Sequence, residues 1–421
     1  MSIGKRRYMK KHSNTPQIRF QNFEAEWLDS TIGRHISLLN GRAYKQEELL
    51  DEGKYRVLRV GNFNTNSKWY YSNLELEENK YVNKGDLLYL WATNFGPEIW
   101  TEEKAIYHYH IWKLEFDRTE INQDYLNIWL ESDKNKIQQN TNGSTMVHIT
   151  KTMMEERGIS LPNFDEQSAI GSLFRTLDEL LTSYKDNLVN YQSLKATMLS
   201  KMFPRAGQTV PEIRLDGFEG AWECLKIAEI FQIIDGDRGK SYPGESDFYS
   251  VGHTLFLDTG NVKKSGLDFS TTKFISEEKD KELRNGKLIL GDFILTSRGT
   301  LGNVAYYNEI IQKRYSSVRI NSAMLILRPL LSDKISPDYI LAVLRGNLIS
   351  DFMKVNQVGS AQPHITKKEF SKIKVLVPSN IQEQQAIGSY FSNLDNLINS
   401  HQEKITQLEA LKKKLLQDMF I

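Results

Sequence analysis

Two histidines, His148 and His364, head nearly identical segments: GSTMVHITK (143–151) and GSAQPHITK (359–367). An imidazole at such a position could move protons near neutral pH or bind a metal. Acid–base or nucleophilic catalysis also needs a second group at a fixed spacing. Neither copy has a nearby acid at a consistent distance, so Thr150 and Thr366 read as helix caps beside a structural turn. The other reading is a surface facing nucleic acid, with Ser360, Gln362 and His364 in one copy, and Ser144 and His148 in the other, as short polar readers. The string GKS at 239–241, between Arg238 and Lys240, lacks the leading glycine of a phosphate-cradling loop. The basic pair itself is a candidate for contact with a polyanion. In SRGTLGNVAYY (297–307) the GxxG is too short for a dinucleotide fingerprint. It reads either as a tight turn between strands or as a loop whose bare backbone lets Arg298, Thr300 and Asn303 approach a phosphate or base edge. The matching loop of the first half, WATNFGPEIW (91–100), has Ala92 in place of Arg298 and offers Thr93 and Asn94.

Other catalytic signatures are missing. No two prolines adjoin, which excludes the Asn-Pro-Pro-aromatic loop of adenine amino-methyltransferases. Pro337-Asp338 could open a nuclease motif, but no acidic-x-Lys follows. The single cysteine, Cys224, excludes a disulfide framework and a cysteine zinc site. The chain has 421 residues and a formal net charge of +1, so overall charge announces no polyanionic partner. Charge is unevenly placed: basic residues exceed acidic ones over 232–375, and the reverse holds over 30–160. No apolar run reaches the roughly 18 residues of a membrane span, and no signal peptide is expected, so the chain reads as cytoplasmic.

What must position these residues is a duplicated frame. EQSAIGSLF (166–174) returns as EQQAIGSYF (383–391), and the likeness continues to Phe203 and Phe420 with 16 identities in 38 positions. Upstream, TPQIRFQNFEAEW (15–27) matches VPEIRLDGFEGAW (210–222). The stretches between are dissimilar and mix strand-like runs with short helical ones. The fold class expected is α+β. Five segments follow: a basic tail (1–14), a first head (15–160), a central helix (161–204), a second head (205–376) and a C-terminal helix (377–421).

Both helices carry a heptad seam. In the first it comprises Ile170, Phe174, Leu177, Leu181, Tyr184, Leu188, Tyr191, Lys195, Met198 and Met202. In the second it comprises Ile387, Phe391, Leu394, Ile398, His401, Ile405, Leu408, Lys412, Leu415 and Met419. Lys195 and Lys412 interrupt the seams at equivalent places, where Leu194 and Leu411 could cover them from the flank. His401 is expected to be satisfied by a neighbour. Parallel pairing would force the second head to span the whole rod, so an antiparallel two-helix coiled coil with pseudo-twofold symmetry is expected, with a head at each end.

The doubled order of these motifs resembles the specificity subunits of type I restriction–modification systems, over nearly the whole chain. The resemblance implies two target recognition domains, each reading one half of an asymmetric split site in double-stranded DNA. It implies helices that set the gap and dock two modification subunits, with two restriction subunits joining them. S-adenosylmethionine, ATP and magnesium would belong to those partners, with no cofactor and no catalysis on this chain. Near-neutral charge suggests weak DNA affinity without them. Two other classes remain open: a fused methyltransferase or nuclease with diverged motifs, and a coiled-coil scaffold that binds no DNA.

Overall fold

A computed structural model describes residues 16–63, 66–92, 95–140, 149–205, 207–356 and 364–420. Two compact units form: Met1–Tyr184 with Lys404–Ile421, and Lys185–Glu403. Two helices of 38 residues, Phe164–Lys201 and Ile381–Asp418, each give one half to each unit. At 1.5 Å per residue each is about 57 Å long. Both start at an asparagine: the Asn163 side chain accepts from Glu166 N (2.9 Å), and the Asn380 side chain from Gln382 N (2.8 Å).

Inside each unit the helices run antiparallel. In the first, Lys412 Nζ meets Asp178 Oδ1 at 2.8 Å and the Phe420 ring lies 6.0 Å from that of Phe174. In the second, Tyr191 packs edge-on to His401 (5.1 Å), Lys195 Nζ meets Asp395 Oδ1 (2.5 Å) and Phe203 lies 5.7 Å from Phe391. As one number rises, its partner falls. Seam burial is uneven. Ile170, Phe174, Leu177, Leu181, Ile387, Phe391, Leu394 and Ile405 are buried, while Leu188, Tyr191, Met198, Ile398, Leu408 and Leu415 are half-exposed. A helix pair without a third layer can cover a seam only partly; full burial comes where a head also packs.

One detail of the seam differs from expectation. Leu194 and Leu411 are 42% and 44% exposed and do not shield the lysines. A carboxylate does it instead: Lys195 takes Asp395, and Lys412 takes Asp178 with Glu131 at 3.1 Å. Burial alone would lower the Lys412 pKa, but its two carboxylates outweigh that and raise it. His401 is satisfied as expected, by Leu397 O at 2.9 Å.

Each head is α+β. The first has an antiparallel sheet in the order Ile36–Asn40, Ile111–Phe116, Leu87–Leu90, Gly96–Ile99. The second repeats it as Phe231–Asp235, Met324–Pro329, Phe293–Thr296, Val304–Tyr306. A second sheet follows in each, built on one parallel pair: Tyr55–Leu58 with Ala105–Tyr107, and Thr254–Leu257 with Val318–Ile320. The strands entering and leaving each head pair antiparallel at its base, Leu28–Thr31 with Gly158–Leu161 and Glu223–Lys226 with Lys374–Val377.

The repeated words EQ…AIG and P-x-I-R are the joint between head and helix. Glu166 is fully buried and accepts two bonds from Arg19, Nε to Oε1 and Nη2 to Oε2, both 2.7 Å. Arg214 grips the buried Glu383 in the same way, at 2.8 Å twice. The guanidinium also holds its own loop, by Ala25 O (2.5 Å) in one unit and by Gly220 O (2.6 Å) and Glu219 O (2.9 Å) in the other. One residue before each arginine, a backbone N–H reaches the end of the opposite helix: Ile18 to Asp418 O (3.0 Å), Ile213 to Lys201 O (2.9 Å). The glutamines bridge to the head. Gln167 Oε1 accepts from Asn122 N (2.9 Å) and Gln384 Oε1 from Ser336 N (2.8 Å). A Cβ on Gly171 would lie 2.7 Å from Asp124 Cβ, and one on Gly388 2.6 Å from the Asp338 backbone, so only glycine lets the first turn of each head helix this close. Beside it, Tyr125 and Tyr339 are fully buried and packed edge-on to Trp27 and Trp222.

Removing one partner of a buried bidentate pair strands the other charge, which costs about 3–5 kcal/mol. Glu166→Ala is expected to destabilise the first unit by that order, and Glu383→Ala the second, read as lost denaturation free energy in urea. The seam pair is about one-fifth exposed. A double-mutant cycle on Lys195 and Asp395 is expected to give a coupling of about 1 kcal/mol, with Lys195→Asp rescued in part by Asp395→Lys.

Candidate nucleic-acid interface

In the second head, strand Val318–Ile320 turns into strand Met324–Pro329 through Asn321, Ser322 and Ala323. Gly236 permits this turn, because a Cβ there would sit 2.1 Å from Asn321 O. The turn gathers several sequence candidates. Arg238, half-exposed, donates from Nη2 to Ser322 O (3.1 Å) and has Asp235 at 3.6 Å. Ser297 N and Arg298 N both donate to Ala323 O, at 2.9 and 3.2 Å, and the Arg298 side chain is exposed. Ile365, buried, donates from its N–H to Ser297 O (3.0 Å), which brings exposed His364 to the same edge. Lys240 is exposed on the loop beyond Arg238.

The other two candidates of that loop are bonded to neighbouring backbone, Thr300 at the surface and Asn303 half-buried. Thr300 Oγ1 donates to Thr259 O (3.1 Å) and Asn303 Nδ2 to Val262 O (2.8 Å). With Gly299 and Gly302 at φ of +70° and +84°, GxxG is a tight turn joining strands Phe293–Thr296 and Val304–Tyr306. The side chains of Thr300 and Asn303 hold that turn to neighbouring backbone, and Arg298 and Thr300 are both exposed on it. Thr93, Asn94, Ser144, His148, Ser360 and Gln362 lie outside the described residues. Thr150 and Thr366 are N-caps, each accepting at 3.2 Å from the third residue on.

The motifs set aside in the sequence have structural explanations. The carboxylate of Asp237 collects the N–H groups of Gly239 (2.8 Å) and Arg284 (2.6 Å), so the GKS loop already holds an anion of its own. Burial opposes ionisation of Asp237, but these donors outweigh it and lower its pKa. Pro337-Asp338 opens helix Pro337–Arg345, where a missing N–H costs nothing. Among the described residues no His/Cys/Asp/Glu cluster could hold a metal, and no helix is long and apolar enough to cross a membrane.

The first head carries the same turn with other chemistry. Gly41 takes the place of Gly236, and His108, Tyr109 and His110 that of the three turn residues. Trp91 N donates to His110 O (3.2 Å), as Ser297 does to Ala323, and Ala92, at the Arg298 position, is buried. The Trp91 ring stacks on Trp112 (5.9 Å) and meets His110 edge-on (4.8 Å), and its Nε1 donates to Tyr109 O (2.9 Å).

A family model for the type I restriction modification DNA specificity domain matches residues 24–190 and again 219–410. The chain belongs to the type I restriction–modification specificity family. It is 23% identical over 416 residues to the type I restriction enzyme MjaVIII specificity subunit of Methanocaldococcus jannaschii, covering 96% of this chain and 95% of that one. It is 21% identical to the EcoBI specificity subunit of Escherichia coli, over 93% and 84%. In fold it is similar to the type I restriction–modification S subunit from M. genitalium, with a TM-score of 0.65, 18% identity and 97% and 99% coverage. A chain solved in a study of complex assembly and conformational transition of the type I R-M system gives a TM-score of 0.50 at 16% identity, over 94% and 97%.

For this specificity subunit, sequence reasoning missed the partnerships. Arg19 and Glu166, or Lys195 and Asp395, were visible as repeated letters. Their pairing was signalled by constant offsets: 195 positions between the arginines, 217 between the glutamates, lysines and aspartates. The aromatic edge had its own unread signal, the string YHYHIW at 107–112.

Burial, then His110 and Arg59, push His108 down to about 4. The unfolded chain, with an ordinary value of about 6.5, therefore takes up this proton first as pH falls. The contribution is complete above that value and is lost as pH falls toward 4. Unfolding of His108→Asn in urea at pH 7 and pH 5 is expected to show a smaller drop in stability across that interval than wild type.

Proposed function

We propose that the chain is the non-catalytic reading subunit of a type I restriction–modification complex, each head contacting one half of a bipartite, asymmetric site in double-stranded DNA. One observation carries this: the arginine–glutamate pair at the joint between head and helix is the same in both units, while equivalent turns at the head edges display unlike chemistry, arginine in one and aromatic rings in the other. A split site with unlike halves accounts for unlike edges carried on a common mount. The long helices set the gap between half-sites and offer the same dock twice, to two modification subunits, with two restriction subunits completing the assembly. S-adenosylmethionine, ATP and magnesium then act on those partners. The unlike edges speak against a scaffold without DNA contact, and the filled GKS loop speaks against a hidden nucleotide site on this chain.

A heptad inserted after Tyr184 together with one after Glu403 keeps both seams in phase. In a host expressing the chain with its modification and restriction partners, methylome sequencing is expected to return both half-sites unchanged with a longer gap. An unaltered gap would sink the spacer role.

A further inference from the structure

At the place of Arg298 the first head has buried Ala92, and it leaves an aromatic side chain exposed at the turn. Tyr109 is 39% exposed at the centre of the turn, with Trp91 at 5.9 Å and His110 at 3.9 Å between ring centroids. Its backbone is fixed on both sides, by Tyr109 N to Arg42 O (3.1 Å) and Trp91 Nε1 to Tyr109 O (2.9 Å). Trp91 in turn stacks on Trp112. A turn of this kind also forms with small residues, as Asn321, Ser322 and Ala323 show in the second head. Folding therefore does not require the rings. A fixed, half-exposed ring on a rigid aromatic base is suited to apolar contact at little entropic cost. The chief cationic group of the corresponding edge, Arg298, is replaced by buried Ala92. DNA offers apolar groups at its base edges, such as the thymine methyl, and base steps that accept an apolar wedge.

Resting on the DNA-reading function above, we propose that Tyr109 is the specificity-determining residue of the first head, packing its ring on apolar base-edge groups of one half-site, while Arg298 serves the other half-site through charge. The two heads then differ in kind of recognition, not only in the bases recognised.

The test uses the full chain assembled with its modification subunits and a duplex carrying the motif read from the host methylome. Tyr109→Ala is expected to weaken binding by about tenfold, the order of one lost base contact, with the salt dependence unchanged. Tyr109→Gln, which keeps length and polarity without a ring, is expected to do the same and covers the case in which Ala loosens the turn. Tyr109→Phe is expected to bind as wild type, and the methylome of the Ala variant to relax in one half-site only. Arg298→Ala, in contrast, is expected to weaken binding and to lower the salt slope by about one, with the sequence of both half-sites unchanged. Wild-type affinity in both ring-less variants would overturn the assignment of Tyr109. A loss in Tyr109→Phe equal to that in Tyr109→Ala would overturn the apolar contact in favour of the hydroxyl. Absence of specific binding by the wild-type assembly would overturn the DNA-reading function beneath both.

Discussion

The structure depends on an arginine and a glutamate that meet out of water. Glu166 has no exposed surface, and Arg19 donates to both of its oxygens. Such a pair contributes less net stability than its Coulomb energy suggests, because both ions give up hydration. Its value is geometric. A fork meeting a carboxylate has one good arrangement, so the loop bearing Arg19, the start of the long helix and, through Gln167, the first turn of the head helix are fixed together. The same residues do this again around Glu383. Heads with different surfaces can therefore sit on identical mounts.

The direction of helix pairing has an electrostatic reason as well as a topological one. The two helices are copies, so parallel pairing in register would set Lys195 against Lys412 and Asp178 against Asp395. Antiparallel pairing converts both repulsions into lysine–aspartate contacts. A sequence that repeats itself pairs like with like in one direction and opposite with opposite in the other. The charges thus reject one arrangement as well as support the other, as polar groups in coiled-coil seams commonly do.

The frame was legible in the sequence because it is written twice. Heptad spacing predicts both helices, and the matched EQxAIG and P-x-I-R words mark their joints. The α+β heads follow from strand-like runs such as KLILGDFILTSRG. What could not be read was contact between distant residues: that Lys195 is matched by Asp395 and not covered by Leu194, or that Asn303 turns inward to Val262 O while Arg298 remains outside. Turn chemistry is local, but which face of a turn meets solvent is set by tertiary packing. The aromatic edge was missed for a related reason. In sequence, Tyr109 belongs to an alternating string that resembles an ordinary half-buried strand, and only the turn exposes it.

The paired strands at the base of each head have a consequence for how such a chain can change over time. Leu28–Thr31 lies against Gly158–Leu161, so everything between Thr31 and Gly158 leaves and returns through neighbouring backbones about 5 Å apart. A segment anchored in this way can be exchanged whole, for one of different length and sequence, without moving the ladder that carries it. Recombination breakpoints at these strands would exchange one recognition cassette while leaving the other untouched.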